Sequence, residues 1–383
     1  MAVMCCVLAI APAPAWSDAQ LFGRAQLIVG IDPQNLGDAP DTSVLPAGTA
    51  RQWNASIQGN AALGGKFTYP EPIAGFVAAG QVTTVLYVRR IFTVTNAGFT
   101  LDNAALGLKI GVGRFITPTV NVLSPSVFQF SAGWGNLVHE TTGAYVAKTY
   151  DRWLIQLGAG RPDVDLFVGP IAATPGSDPP LPFVEGRIAY IDPDIVGELP
   201  ANAVIGARPG PLTLSVSGAV GEQRVGVGEM AGAIVEDLPS WLASAEAIVP
   251  LGPVTVMGEG YVGKGANAYV GAVRQRPYLD LSTGRHTALS SRGGWLQVSY
   301  ALPDHWTAVA VAGLEHITEG LSSGVAVDGA PGIRVNRLMA MSLSKTFARL
   351  HAGVQVQHQV TKYAGTLGDG HMASVLLESS VDF

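Results

Sequence analysis

The sequence predicts an all-β chain, a transmembrane antiparallel β-barrel of about sixteen strands with an inward-folded constriction loop. Three observations predict it. Segments of roughly ten residues alternate apolar and polar side chains again and again, at the length a tilted strand needs to cross a bilayer. No run of about 18 apolar residues offers a membrane helix, and no helix-period segment is long enough to cover so large a sheet. The chain of 383 residues is 48% hydrophobic yet only 14% charged, against about 25% in soluble domains, and its 47 glycines suit strands and tight turns.

Residues 1–19 read as a secretory signal peptide, with a short apolar core and a small-residue Ser17-x-Ala19 site before Gln20, although the usual basic start is missing. Both cysteines, Cys5 and Cys6, lie inside it, so the mature chain needs no disulfide. From 20 to 383 no boundary for a second domain is visible, which predicts one barrel domain.

The first strand is predicted over Leu21–Ile31, the partner that would close the barrel against the last strand. In Thr84–Val94, Leu86, Val88, Arg90, Phe92 and Val94 form one row and Tyr87, Arg89, Ile91 and Thr93 the other. Arg90 on the apolar row would cost a few kcal/mol at mid-bilayer, so it belongs near an interface or a subunit contact. Asp102–Arg114 sets Leu106, Leu108, Ile110 and Val112 against Asn103 and Lys109. Tyr145–Ala159 reads as one strand with Tyr145, Ala147, Trp153, Ile155 and Leu157 on its apolar side and Lys148, Tyr150, Arg152 and Gln156 opposite. Thr149 and Asp151 interrupt that apolar row.

Between these strands lies Phe115–Thr142, long and without alternation, holding Ser124, Phe128, Phe130, Trp134, His139 and Glu140. A long connection rich in aromatics is a packed, functional loop, and in a barrel the place to pack is the lumen. Shorter alternations follow at Leu212–Ser217, Val254–Tyr261 and Leu296–Tyr300. The sharpest is Phe347–Val360, where Leu350, Ala352, Val354, Val356 and Val360 oppose Arg349, His351, Gln355, Gln357 and Gln359. The last, His371–Phe383, ends with Phe383 on the apolar row. Turns are read at Pro33, Gly210-Pro211, Pro250–Pro253 and Pro303-Asp304, and longer extracellular connections at Pro170–Pro182, Lys264–Gly294, Glu319–Gly332 and Lys362–Gly370. Trp153, Tyr190, Tyr261, Tyr300, Trp306 and Phe383 fall near strand ends, as interfacial aromatics do.

The polar rows turn Arg89, Lys109, Lys148, Arg152 and Arg349 towards the lumen, with Arg114 at the mouth of the long loop. Such a cationic wall would draw carboxylates or phosphates through guanidinium forks. Equally, these side chains could pair with lumen acids such as Glu259 and Glu378 and only stiffen the wall. A net charge of −6 without a basic stripe offers nothing to nucleic acid. His139-Glu140 is no zinc-binding HExxH, since Gly143 stands where the second histidine belongs, and no GxSxG, phosphate loop or CxxC occurs. No catalytic residue, metal site or cofactor is assigned, and the chain is read as no enzyme.

The passage Gly111-Val112-Gly113-Arg114-Phe115 into Leu123–Phe130, the strand Gly293–Tyr300 and the closing hairpin Arg349–Phe383 resemble outer-membrane porins of the DcaP type and, more loosely, the phosphate-selective porins. The resemblance runs along most of the mature chain, more in pattern than in identity, and the extended N-terminal coiled coil of that group is absent. It implies sixteen strands, a homotrimer in outer-membrane lipid, and passive diffusion of small, often anionic solutes. It also implies that Phe383 is the terminal aromatic recognised by the barrel-assembly machinery. The alternative is a plugged outer-membrane barrel acting as a hydrolase or a structural anchor.

Overall fold

The structure is a computed structural model that describes residues 20–34, 51–69, 71–87, 90–116, 137, 140–163, 181–198, 209–225, 235–269, 277–280, 283–321, 332–348, 350–364 and 369–382. The first strands are β1 (Gln20–Gln34), β2 (Arg51–Thr68), β3 (Val77–Tyr87), β4 (Arg90–Asn103), β5 (Leu108–Ile116) and β6 (Glu140–Tyr150). Then come β7 (Trp153–Asp163), β8 (Phe183–Glu198), β9 (Pro209–Val225), β10 (Glu236–Leu251) and β11 (Val254–Lys264). A small separate hairpin, β12 (Tyr278–Asp280) with β13 (Arg285–Thr287), interrupts the meander. It resumes as β14 (Ser290–Leu302), β15 (Trp306–Glu319), β16 (Ile333–Phe347), β17 (Leu350–Tyr363) and β18 (Gly370–Asp382).

Each barrel strand pairs antiparallel with its neighbours, and β11 pairs directly with β14. The ring closes where β1 meets β18, from Arg24↔Asp382 to Ile31↔Val375. Sixteen strands therefore form a closed barrel with no free edge. Closure is what a sheet in hydrocarbon requires, because nothing there can satisfy an unpaired backbone group.

The polarity of the two faces is inverted relative to a soluble protein. Leu157, Ile188, Val216, Val298, Met341 and Val375 are exposed on the outside, while Gln297, Gln355, Asn336 and Thr361 are fully or almost fully buried inside. Alternation in β17 and β18 follows the sequence reading, Val354, Val356 and Leu377 pointing out and Gln355, Gln357 and Glu378 in, although Phe347, read into the same strand, ends β16 before the turn.

One end of the barrel carries the tightest connections, which marks the periplasmic side. The left-handed backbone residues of these turns are Ala74, Gly75, Gly107, Asp151, Gly252, Asp304, His305 and Ala348. Trp153 and Tyr190 make an edge-to-face pair at this level, with centroids 5.4 Å apart. Tyr300, Trp306 and Phe347 stand exposed at the same end, and Lys345 Nζ lies 5.1 and 5.0 Å from the Trp306 and Phe347 rings. Tyr261, expected among these interfacial aromatics, is instead buried inside. Pro33 and Gly210-Pro211, read as turns, lie within β1 and β9.

Several apparent strands cross a turn: Asp102–Arg114 spans the 104–107 connection between β4 and β5, so Leu106 is a turn residue. Tyr145–Ala159 folds at Asp151-Arg152, with Tyr150 paired to Trp153, and Thr84–Val94 folds between Tyr87 and Arg90, which also pair. A two-residue turn brings positions i and i+3 onto the same face, so the alternation changes parity across it. That is why Thr149 and Asp151 broke the apolar row. Tyr150 and Trp153 both point outward, and Tyr145 and Ala147 point in.

Candidate functional site: the lumen and its corner

The barrel bends sharply between β8 and β11. Cα atoms of these two strands approach within 8 Å although β9 and β10 lie between them along the wall. The inward side chains of this corner are polar and converge on each other. Arg187 of β8 forms an ion pair with Glu246 of β10 at 2.8 Å, with both side chains buried to about one percent exposure or less. Its Nη2 also donates to Ser215 Oγ at 2.9 Å, and Ser215 in turn donates to Glu246 Oε2 at 2.8 Å. Glu246 and Glu259 are direct cross-strand partners, an arrangement of like charges that would repel without a cation beside it. The Arg187 charge acts on both.

The long loop reaches this corner. Leu137 is fully buried, and its N–H donates to Glu259 Oε2 of β11 at 3.4 Å. Glu259 also accepts from Trp295 Nε1 at 3.2 Å. Thr141, at the start of β6, donates to Glu185 of β8 at 3.1 Å. Glu259 thus holds Leu137 inside the barrel, and Glu185 holds the start of β6. Tyr261 donates to Glu315 one strand pair further on.

A second connection folds inward at the extracellular mouth. After β11, residues Ala266–Tyr269 make a single 3-10 turn. Gly265 O accepts from Ser240 Oγ at 2.8 Å and from Gln223 Nε2, and Asn267 Nδ2 donates to Gln223 Oε1 at 2.9 Å. Tyr269 is fully buried edge-to-face against Phe183, with centroids 5.7 Å apart. That burial, with the Glu185 charge second, pushes its hydroxyl well above the ordinary tyrosine range. Past the corner the inward face is mostly uncharged apart from Glu315 and Glu378: Gln355 donates to Gln357 at 2.9 Å and Thr361 to Asn336 at 2.8 Å. An apolar patch of Met257, Trp295, Val311, Leu338 and Ala340 lies between.

The sequence-predicted residues fall into three groups. Lys109 lies on the inward row with Gly111 and Tyr145. Lys148 and Arg114, expected in the lumen, are on outward rows: Lys148 pairs in register with Leu108 and donates to Leu106 O, and Arg114 follows exposed Val112 on the same face. Arg152 is no wall residue either; it sits in the β6–β7 turn, bound to Asp192 and, at 2.7 Å, to Asp194. Arg89 and Arg349 lie outside the described residues, in the two-residue connections after β3 and β16. Ser124, Phe128, Phe130, Trp134, His139, Phe383 and residues 1–19 also lie outside them, and Glu140 opens β6. Glu259 and Glu378 are buried on the inner face, but the ion pair of the wall is Arg187 with Glu246, neither of which the alternation pattern had singled out. Both occupy inward positions of long strands, which a correct register would have revealed.

A closed sixteen-strand antiparallel barrel with an apolar exterior and a polar interior is a fold shared with solved outer-membrane proteins. The outer-membrane channel DcaP of Acinetobacter baumannii superposes with a TM-score of 0.72 over 98% of this chain and 99% of that one, at 13% identity. OprB of Pseudomonas putida matches at 0.60, with 10% identity over 95% and 94%. OmpF of Salmonella typhi matches at 0.60, with 12% identity over 95% and 97%. At these identities the likeness establishes the fold, and the DcaP-like pattern read in the sequence is present at that level. No protein-family profile and no curated protein sequence matches the chain.

Proposed function

We propose that this chain is an outer-membrane porin, a water-containing passage for diffusion of small hydrophilic solutes and not an enzyme. The observation that carries the reading is the inverted polarity of the closed barrel, combined with Leu137, just before β6, buried inside it against Glu259 of β11. A constriction built this way selects by size and by the charge lining it. Among the described inward residues, Glu185, Glu246, Glu259, Glu315 and Glu378 outnumber Arg187 and Lys109. That balance supports a neutral to cation-preferring passage over the anion-preferring one read from the arginines. The assembly is taken as a homotrimer in outer-membrane lipid, inserted by the barrel-assembly machinery.

The test is conductance of the purified protein in planar lipid bilayers. Stable openings in steps of three, with a reversal potential in a salt gradient of the cation-preferring sign, are the expected result; an anion-preferring sign would restore the arginine-based reading. Deep burial of the inward side chains favours one competing reading, a plugged barrel, and silence in the bilayer would establish it.

A further inference from the structure

The outer face between β14 and β18 changes character from row to row of the strand register. The row Val298–Ala310–Met341–Val356–Val375 is wholly apolar. Two residues higher, the row Leu296–Ala312–Met339–His358–Ala373 acquires a histidine. The next, Gly294–Leu314–Arg337–Val360–His371, acquires an arginine and another histidine. The uppermost links Arg292, His316, Val335 and Lys362. Arg334 stands exposed at the β16 bulge beside them, and His316 lies within electrostatic reach of both Arg292 and Arg334. The His358 and His371 rings stack at 6.2 Å.

The height of these cations is set by the lower aromatic belt. From the Leu302–Trp306 pair to the Arg292–His316 pair is ten residues of β14. At about 3.4 Å each and a tilt near 40°, this is about 26 Å, the thickness of the apolar band of such a barrel. Arg292 and His316 therefore stand at the outer-leaflet headgroups, and Arg337, likewise ten residues from exposed Phe347 on its own strand, stands with them. Among the described residues no carboxylate pairs with Arg292, Arg334 or Arg337, and Asp369 reaches only Lys362, at 3.6 Å. At the top of β9 and β10, by contrast, Arg224 is neutralised by Asp237 through bonds of 2.9 and 3.1 Å, with Glu222 nearby.

We propose that the rim of β14–β18 is a binding site for the phosphate groups of an outer-leaflet glycolipid. Its acyl chains would lie along the apolar rows below, beside Met339 and Met341. The proposal rests on the outer-membrane reading. Basic side chains at a membrane surface attract anionic headgroups individually weakly and collectively strongly. A second copy of this chain is the other occupant to be tested.

The experiment is native mass spectrometry of the full-length protein in detergent, with added phosphorylated glycolipid of the outer leaflet. Retention of the glycolipid, lost about 100-fold in the triple variant R292Q/R337Q/K362Q, is the expected result, roughly fivefold for each cation removed. The triple variant R292K/R337K/K362R should retain binding, and R224Q on β9 should leave it unchanged. Heat-modifiable migration on a gel verifies that each variant is a folded barrel. Equal retention of the enzymatically dephosphorylated glycolipid would overturn the proposal. Loss of oligomer instead of lipid would assign the rim to a second copy and overturn it as well. A barrel that retains the glycolipid but does not conduct refutes the porin reading alone; a conducting barrel without retention refutes this inference alone.

Discussion

Between β8 and β11 the barrel buries an ion pair inside and pairs Arg224 with Asp237 outside, whereas between β14 and β18 its interior is mostly glutamine, serine and threonine around Glu315 and Glu378, and Arg292, Arg334 and Arg337 stand on the outside with no carboxylate partner among the described residues. Arg187 with Glu246 belongs to the first sector, and Arg292, Arg334 and Arg337 to the second. The same residue type serves two opposite purposes because its surroundings differ. A buried guanidinium must have its counter-charge built in, while one at the membrane surface finds it in the lipid. Which arginine does what is decided by register and height, and only then by chemistry.

The largest expected effect lies in the corner. Arg187→Met strands Glu246 in a dry site and should cost about 3–5 kcal/mol of barrel stability, followed by urea-dependent tryptophan fluorescence in detergent or lipid. The double variant R187M/E246L should recover most of that loss. If the double variant is as unstable as the single one, the pair is not what makes the corner coherent.

The two heights of the second sector offer the next contrast. Met341→Arg puts a cation on a wholly apolar row, at a side chain 65% exposed to lipid, and should cost about 2–4 kcal/mol. Arg337→Met, only two rows higher, should change stability by less than about 1 kcal/mol. Equal costs would mean that the rows are misplaced relative to the bilayer.

The smallest effect belongs to the turns. Ala348 holds a φ of 52°, a region disfavoured by its Cβ. Ala348→Gly should stabilise by less than about 1 kcal/mol, since glycine relieves the strain but loses more freedom on folding. Destabilisation measured by the same unfolding assay would show that the alanine methyl makes a contact outweighing its strain.

The sequence made the closing strands legible and left two tight hairpins hidden, for a physical reason. In β17 and β18 every second residue meets lipid, so the alternation is enforced by hydrocarbon on one side and by a polar interior on the other. Asp151-Arg152 contains neither glycine nor proline, and flanking Tyr150 and Trp153 are as apolar as strand residues. The turn therefore looks like two more strand positions. Aspartate tolerates the left-handed conformation, as Asp151 does here with a φ of 53°, and that was the one signal available. Missing it transferred Lys148 to the wrong face and put Arg152 in a wall. The corner was less legible still, because the approach of β8 to β11 depends on how the whole ring bends, a property no local pattern encodes.

The seam between β1 and β18 has a kinetic consequence. Its partners, such as Ile28 and Glu378, are separated by nearly the entire length of the chain, and they are nearest neighbours in the finished wall. Every other interstrand pair can zip from a nearby connection as the polypeptide emerges. This one must wait for a productive encounter between the two ends of an almost complete sheet. Its entropy of closure grows only with the logarithm of length, but its rate carries the full burden of a non-local contact. Until it forms, two long rows of unpaired amides and carbonyls face outward, and the half-made wall is as ready to join a neighbouring molecule as itself. The last pair to form is the one that turns a sticky ribbon into a finished cylinder.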